Sequence, residues 1–219
     1  MRRKTIILLL AATGLIVAAG PADAAPMATA TGTRPAGEDC GAVRLTSDLP
    51  APPVGRSARQ TVTIGANCQV VRGPVEFVST PAVNALDATA TYHTSSEMYD
   101  CCRILMTALY TDSTVSTAGG LVTGSSTTIS TRHNREPWNA GWSVASTSNK
   151  GGCPAECAAA SHTGHAEFSY RGIFDPTGHY YANIHDTSVV LNGDGSATCT
   201  ETVDLRHSFI GWNWQHTCA

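Results

Sequence analysis

Eight histidines, eight cysteines and a dense population of serines and threonines are the chemistry this 219-residue chain has to offer. His162-x-x-His165 has a spacing that can chelate a metal on a helix or tight turn, and His179 and His185 flank a neighbouring strand-like segment. No His-Glu-x-x-His motif occurs. The mature terminus is expected at Ala25, which excludes an N-terminal-histidine copper brace. No metal and no other cofactor is expected. Nucleophilic catalysis needs a Ser or Cys beside a base, and the chain has no Gly-x-Ser-x-Gly elbow. Paired carboxylates for glycoside hydrolysis would come from Glu97, Asp100, Glu136, Glu167 or Asp175, a supply that any β-protein offers. Asn192-Gly-Asp-Gly195 lacks the acidic continuation and terminal Glu of a calcium loop and reads as a hairpin turn.

Tryptophan is the stronger hint of binding. Trp212 and Trp214 are two apart, so a strand puts both on one face, and Trp138 and Trp142 sit in a Pro/Gly-bearing loop. Together the four form a candidate platform for sugar rings or a flat protein surface. The alternation opposes this. Ile210, Trp212, Trp214 and His216 make the more apolar side of that strand, and Phe209, Gly211, Asn213 and Gln215 the more polar one, which favours burial of both rings.

The elements that position these residues begin with an export signal. Residues 1–24 read as a secretory signal peptide: Arg2, Arg3 and Lys4, an apolar stretch over 6–19, then Ala22-Asp23-Ala24 as a small-x-small cleavage site. Its apolar stretch is short for a membrane span, and nothing later reaches the ~18 apolar residues that a span requires. The expected protein is secreted and extracellular, with no membrane association after cleavage. Removing the leader takes three of 14 basic and one of 17 acidic residues, leaving 11 against 16 and a net charge near −5. Phosphate binding needs clustered Lys and Arg, so nucleic acid is not an expected partner.

All eight cysteines follow the leader, and an even number in an exported chain implies disulfides. A zinc site is the competing reading, but Cys153-Pro-Ala-Glu-Cys157 has no second pair at matching spacing. Cys199 and Cys218 lie near the ends of what reads as a last hairpin and are expected to pair; Cys153 and Cys157 are expected to form a local loop bridge.

Residues 25–59, rich in Pro, Ala, Gly and Thr, read as a disordered N-terminal arm pinned at Cys40, and 60–219 as a single β domain. Strand signals run through 60–65, 68–71, 75–78 and 88–94. The central apolar run, 100–112, reads as a strand carrying Cys101 and Cys102 on opposite faces, each reaching a different partner. Helical periodicity from Met98 through Leu109 is the alternative there. Further strands are expected over 121–123, 126–131, 142–147, 165–171, 179–184, 187–191, 196–205 and 209–216. A loop over 149–164 is expected to hold one helical turn after Pro154. Many short strands with Gly and Asx turns predict an all-β fold, an antiparallel β-sandwich or barrel-like domain stabilised by disulfides.

Residues 100–111, the Gly141-Trp142-Ser143 step, the meander over 168–181 and Gly193-Asp-Gly195 closing on Cys199 resemble a group of uncharacterised small secreted actinobacterial proteins. The resemblance implies an all-β extracellular domain and carries over no catalytic residue. The expectation is therefore a non-catalytic domain that binds a cell-envelope or environmental polymer or a protein. A secreted hydrolase and a structural surface protein without a ligand site are the alternatives.

Overall fold

The structure is a computed structural model that describes residues 38–53, 55–79, 89–135 and 141–218. The proposed signal peptide, Glu136 and Trp138 lie outside the described residues. Two antiparallel sheets face each other. The first has the order β1-β11-β10-β9-β8: β1 Asp39–Leu49, β11 Ala197–Phe209, β10 Ala182–Asn192, β9 Ala159–Arg171 and β8 Gly141–Gly152. The second has the order β3-β2-β12-β5-β6-β7: β3 Val70–Arg72, β2 Arg56–Ile64, β12 Asn213–Cys218, β5 Thr89–Tyr99, β6 Leu105–Ala118 and β7 Leu121–His133. A short β4, Glu76–Ser79, also pairs with β2. The barrel alternative falls away, because the sheets are open and packed face to face.

Period-two burial builds the sandwich. Along β9, Ala160, His162, Ala166, Phe168 and Tyr170 point inward, and along β11 Ala197, Cys199, Glu201, Val203 and Leu205 do the same. One apolar cluster gathers Leu45, Val62, Ile64, Met98, Leu109, Phe168 and Trp214; a second gathers Val115, Val122, Ala160, Val189 and Leu191.

Several expectations need correction. The supposed arm contains β1, and β2 starts before Gln60. Leu45, Ser47 and Leu49 alternate inward over 45–49, a period too short to stand out beside the flanking Pro and Ala. Cys40 is indeed tied down, to Cys68. The central run is a strand only from Leu105. Its first residues form a turn, because the Asp100 carboxylate accepts the Cys102 and Ile104 N–H groups and Arg103 turns left-handed at φ 65°. Cys101 and Cys102 are therefore exposed neighbours with free thiols, not opposed residues reaching separate partners. The loop over 149–164 shrinks to the segment between β8 and β9, without a helical turn, since β8 runs to Gly152 and β9 starts at Ala159.

The last hairpin is also different. β11 and β12 belong to different sheets, joined through a turn containing Trp212. Cys199 and Cys218 are bonded, so this bridge ties one sheet to the other; Cys153 and Cys157 are bonded within the β8–β9 loop.

Candidate functional site

The tryptophan platform does not form from the described rings. Trp142, Trp212 and Trp214 are 7, 8 and 0% exposed and sit in the main apolar cluster. The alternation explains it: Ile210 and His216 are buried with them. Trp214 donates its indole N–H to Ser96 Oγ at 2.9 Å, so its one polar atom is satisfied indoors.

That bond belongs to a buried polar network between the sheets. The His185 ring meets Ser96 Oγ through Nδ1 at 2.8 Å and Thr107 Oγ1 through Nε2 at 2.9 Å. Asn183 donates to Thr107 Oγ1 at 3.0 Å. Burial pushes the His185 pKa down to about 3, so the ring is neutral. Close by in the sequence of inward positions, Glu201 Oε2 and His216 Nδ1 lie 3.1 Å apart, with His216 stacked on Trp214. Burial raises the Glu201 carboxyl well above its ordinary range, and burial together with Arg72 lowers His216 to about 4. Burial disfavours charge on both groups, so it favours the neutral pair, in which the Glu201 O–H donates to Nδ1. It is sealed from solvent and reads as internal architecture.

The outward side of β9 and β10 is different in kind. His162 and His165 are three apart on a strand and so occupy opposite faces, which rules out joint chelation. His162 points in, its Nε2 3.0 Å from Ser125 Oγ, and burial lowers its pKa. His165 points out, directly across from Asp186, with Nδ1 donating to Asp186 Oδ1 at 2.7 Å and Nε2 lying 3.3 Å from Glu167 Oε1. The Asp186 bond, against partial burial and with help from Glu167, raises the His165 pKa.

Strand register extends this pair into a row. Ser148, His165, Asp186, Thr202 and Thr46 lie opposite one another across β8, β9, β10, β11 and β1. A flanking row carries Lys150, Thr163, Ser188 and Thr200; the other carries Ser146, Glu167, Ile184, Asp204 and Arg44. Arg44 bridges Asp204 at 3.0 Å. The hydroxyls of Ser148, Ser188, Thr200 and Thr202 have no side-chain partner among the described residues. Strands spaced ~4.8 Å apart, with rows two residues apart at ~3.3 Å each, set these groups on a regular grid. Two grooves of about 450 and 620 Å³ run over this face.

Among the described residues, the carboxylates suggested for hydrolysis sit in separate settings. Glu97 lies on the outer face of the other sheet, clamped by the Tyr99 and Tyr110 hydroxyls at 2.8 and 2.6 Å. Asp100 holds its own turn. Asp175 is buried in the β9–β10 connection. Burial there opposes ionisation, but bonds from Thr177 and from the Tyr181, Tyr180 and Gly178 N–H groups hold its pKa well below the carboxylate range. Among the described residues, no group of three or more His, Cys, Asp or Glu is placed to hold a metal ion. Sequence reasoning named His165 and Glu167 and left Asp186 in the turn between two expected strands, whereas β10 carries it mid-strand; Ser148 and Thr202 it did not name. The alternation of 182–192 against 159–171 was the available signal, and only the register supplies the pairing.

Fold and face together define the class: a disulfide-braced antiparallel β-sandwich with one sheet face on which Ser and Thr hydroxyls alternate with charged groups. No family model, no curated protein and no solved structure matches the chain.

Proposed function

We propose that the protein is a secreted, non-catalytic binding domain, and that it holds a polyhydroxylated cell-envelope or environmental polymer along the outer face of the five-stranded sheet. One observation carries the reading: the grooved, hydroxyl-lined grid centred on His165 and Asp186. Ser and Thr hydroxyls donate and accept, as sugar hydroxyls do, and an imidazole whose protonated form is favoured by two neighbouring carboxylates adds charge-assisted bonds. Three disulfides in a chain with a signal-like leader support the exported setting. Contact through many weak polar groups, without an exposed aromatic in the groove, suits an extended ligand bound by repetition along its length.

The Ser148–His165–Asp186 row favours a second reading, acyl transfer, since Ser, His and Asp there follow one another across adjacent strands. Two features weigh against it. Glu167 occupies the imidazole nitrogen that a serine would use. The N–H groups of a central strand are spent in the ladder, which removes the usual donors for an oxyanion.

Pull-down on insoluble polysaccharides and purified cell walls tests both readings. His165→Ala with Asp186→Ala should lower retention at least tenfold while the melting temperature stays within a few degrees. Ser148→Ala should leave retention nearly unchanged. Retention that ignores the double substitution refutes the face; labelling by a fluorophosphonate that is lost in Ser148→Ala replaces binding with hydrolysis.

A further inference from the structure

The turn joining β5 to β6 presents two adjacent thiols on a firm base. Asp100 accepts the Cys102 and Ile104 N–H groups, both at 2.8 Å, and its backbone pairs with Ile104 and Arg103. Asn213 donates to the Asp100 carbonyl at 3.4 Å from the start of β12. Gly211, at φ 93°, lets the chain pass so close that a Cβ there would stand 3.1 Å from the Cys101 Cβ. On this support both thiols are exposed, with sulfurs 3.6 Å apart. The six other cysteines are all bonded.

We infer that Cys101 and Cys102 are a redox-labile modification site, closing on each other as a fourth, vicinal disulfide. The sulfurs stand 3.6 Å apart, and bringing them to bonding distance adjusts the turn that carries them. The strain lies in the ring: consecutive Cα atoms are ~3.8 Å apart, short of the ~4.4 Å at which ordinary bridges begin. A strained and exposed bridge is the more readily reduced one. Cys40–Cys68, Cys153–Cys157 and Cys199–Cys218 span ordinary separations of 5.4, 6.3 and 5.9 Å between Cα atoms. The vicinal pair is therefore the first to open and the last to close.

The oxidant is a disulfide, small or protein-borne. One cysteine thiolate attacks a sulfur of R–S–S–R, forming a mixed disulfide and releasing one R–S⁻. The neighbouring thiolate then attacks the cysteine sulfur of that mixed disulfide and expels the second R–S⁻. Two electrons pass from the two cysteines to the oxidant, and the two thiol protons end on two R–SH. The resolving sulfur stands 3.6 Å away on the same turn, so the mixed disulfide is resolved within the chain rather than by a second thiol. Opening or closing the ring changes a surface turn and leaves the sandwich in place. The inference stands on this turn alone and is independent of the hydroxyl face.

Intact-mass and peptide mapping of the whole folded protein, treated with glutathione disulfide and then titrated with dithiothreitol before alkylation, tests it. Oxidised protein should lose about 2 Da at the peptide holding Cys101 and Cys102, which should then resist iodoacetamide. Both cysteines should become alkylated at reductant concentrations at least tenfold below those that open the other three bridges. Cys101→Ser should trap a stable glutathione adduct on Cys102, because the resolving sulfur is gone. Two alkylatable thiols after oxidation, stable glutathione on the unsubstituted pair, a bridge to a second chain, or opening no earlier than the other three would each overturn the inference.

Discussion

Trp214, His185 and Ser96 show what single side chains do here. Each is a polar or partly polar group placed at a wholly buried position, and each brings its partner with it: indole N–H to hydroxyl, hydroxyl to imidazole, imidazole to Thr107. An unpaired polar atom in that position would cost about 1–3 kcal/mol, a penalty these three side chains escape, while Asn183 Oδ1 beside them has no partner among the described residues. Trp212 works by bulk alone, tilted against Phe209 with ring centroids 5.2 Å apart. Trp212→Ala should therefore lower unfolding free energy by about 3–5 kcal/mol in urea titrations. A loss under ~1 kcal/mol would mean that the ring stands in solvent after all.

At the scale of elements, the decisive joint is between β11 and β12. The chain leaves one sheet at Phe209, turns through Trp212 and enters the other at Asn213. Cys199 and Cys218 then close 19 residues of chain, both cysteines buried in a small cluster with Leu49 and Ala58. A bridge of that loop length restricts the unfolded chain by roughly 3 kcal/mol. Cys199→Ala with Cys218→Ala should accordingly cost roughly 2–4 kcal/mol, read as a drop in melting temperature, while far-ultraviolet circular dichroism keeps its β signature. An unchanged melting temperature would show that the sheets are held by packing alone.

For the molecule as a whole, burial of ionisable groups sets a pH profile. His185 and His216 have folded pKa values of about 3 and about 4, against an ordinary 6.5. The unfolded chain binds protons that the fold refuses, so stability falls as pH drops below 6.5. Glu201 is shifted the other way, raised well above 4.5, and the fold holds a proton that the unfolded chain releases. Its contribution is full below pH 4.5 and is lost as pH rises. Through the range in which unfolded imidazoles titrate, near pH 6.5, the two histidines make stability rise with pH, and the Glu201 carboxyl opposes them. His165, raised by Asp186, adds to the alkaline decline. Melting temperature should thus fall as pH drops below 6.5, and Glu201→Gln should lessen the loss of stability that comes as pH rises. A melting temperature that stays level from pH 7 down to pH 4.5 would contradict the two uncharged buried imidazoles.

Local pattern was enough for part of this. Period-two alternation in 60–65, 165–171 and 196–205, Gly and Asx turns, and eight cysteines behind an export-like leader determined an all-β, disulfide-braced fold, because side-chain direction in a strand depends only on parity. The same parity argued for burying Trp212 and Trp214 against their appeal as a platform. What parity cannot say is which strand lies beside which. The inter-sheet crossing between β11 and β12, the sheet membership of β1 and the Asp100 turn that sets Cys101 beside Cys102 all depend on contacts distant in sequence or on one side chain capturing backbone donors. The row joining Ser148, His165, Asp186 and Thr202 depends on them too: four separate strands supply it, and only hydrogen-bond register decides that these residues face one another.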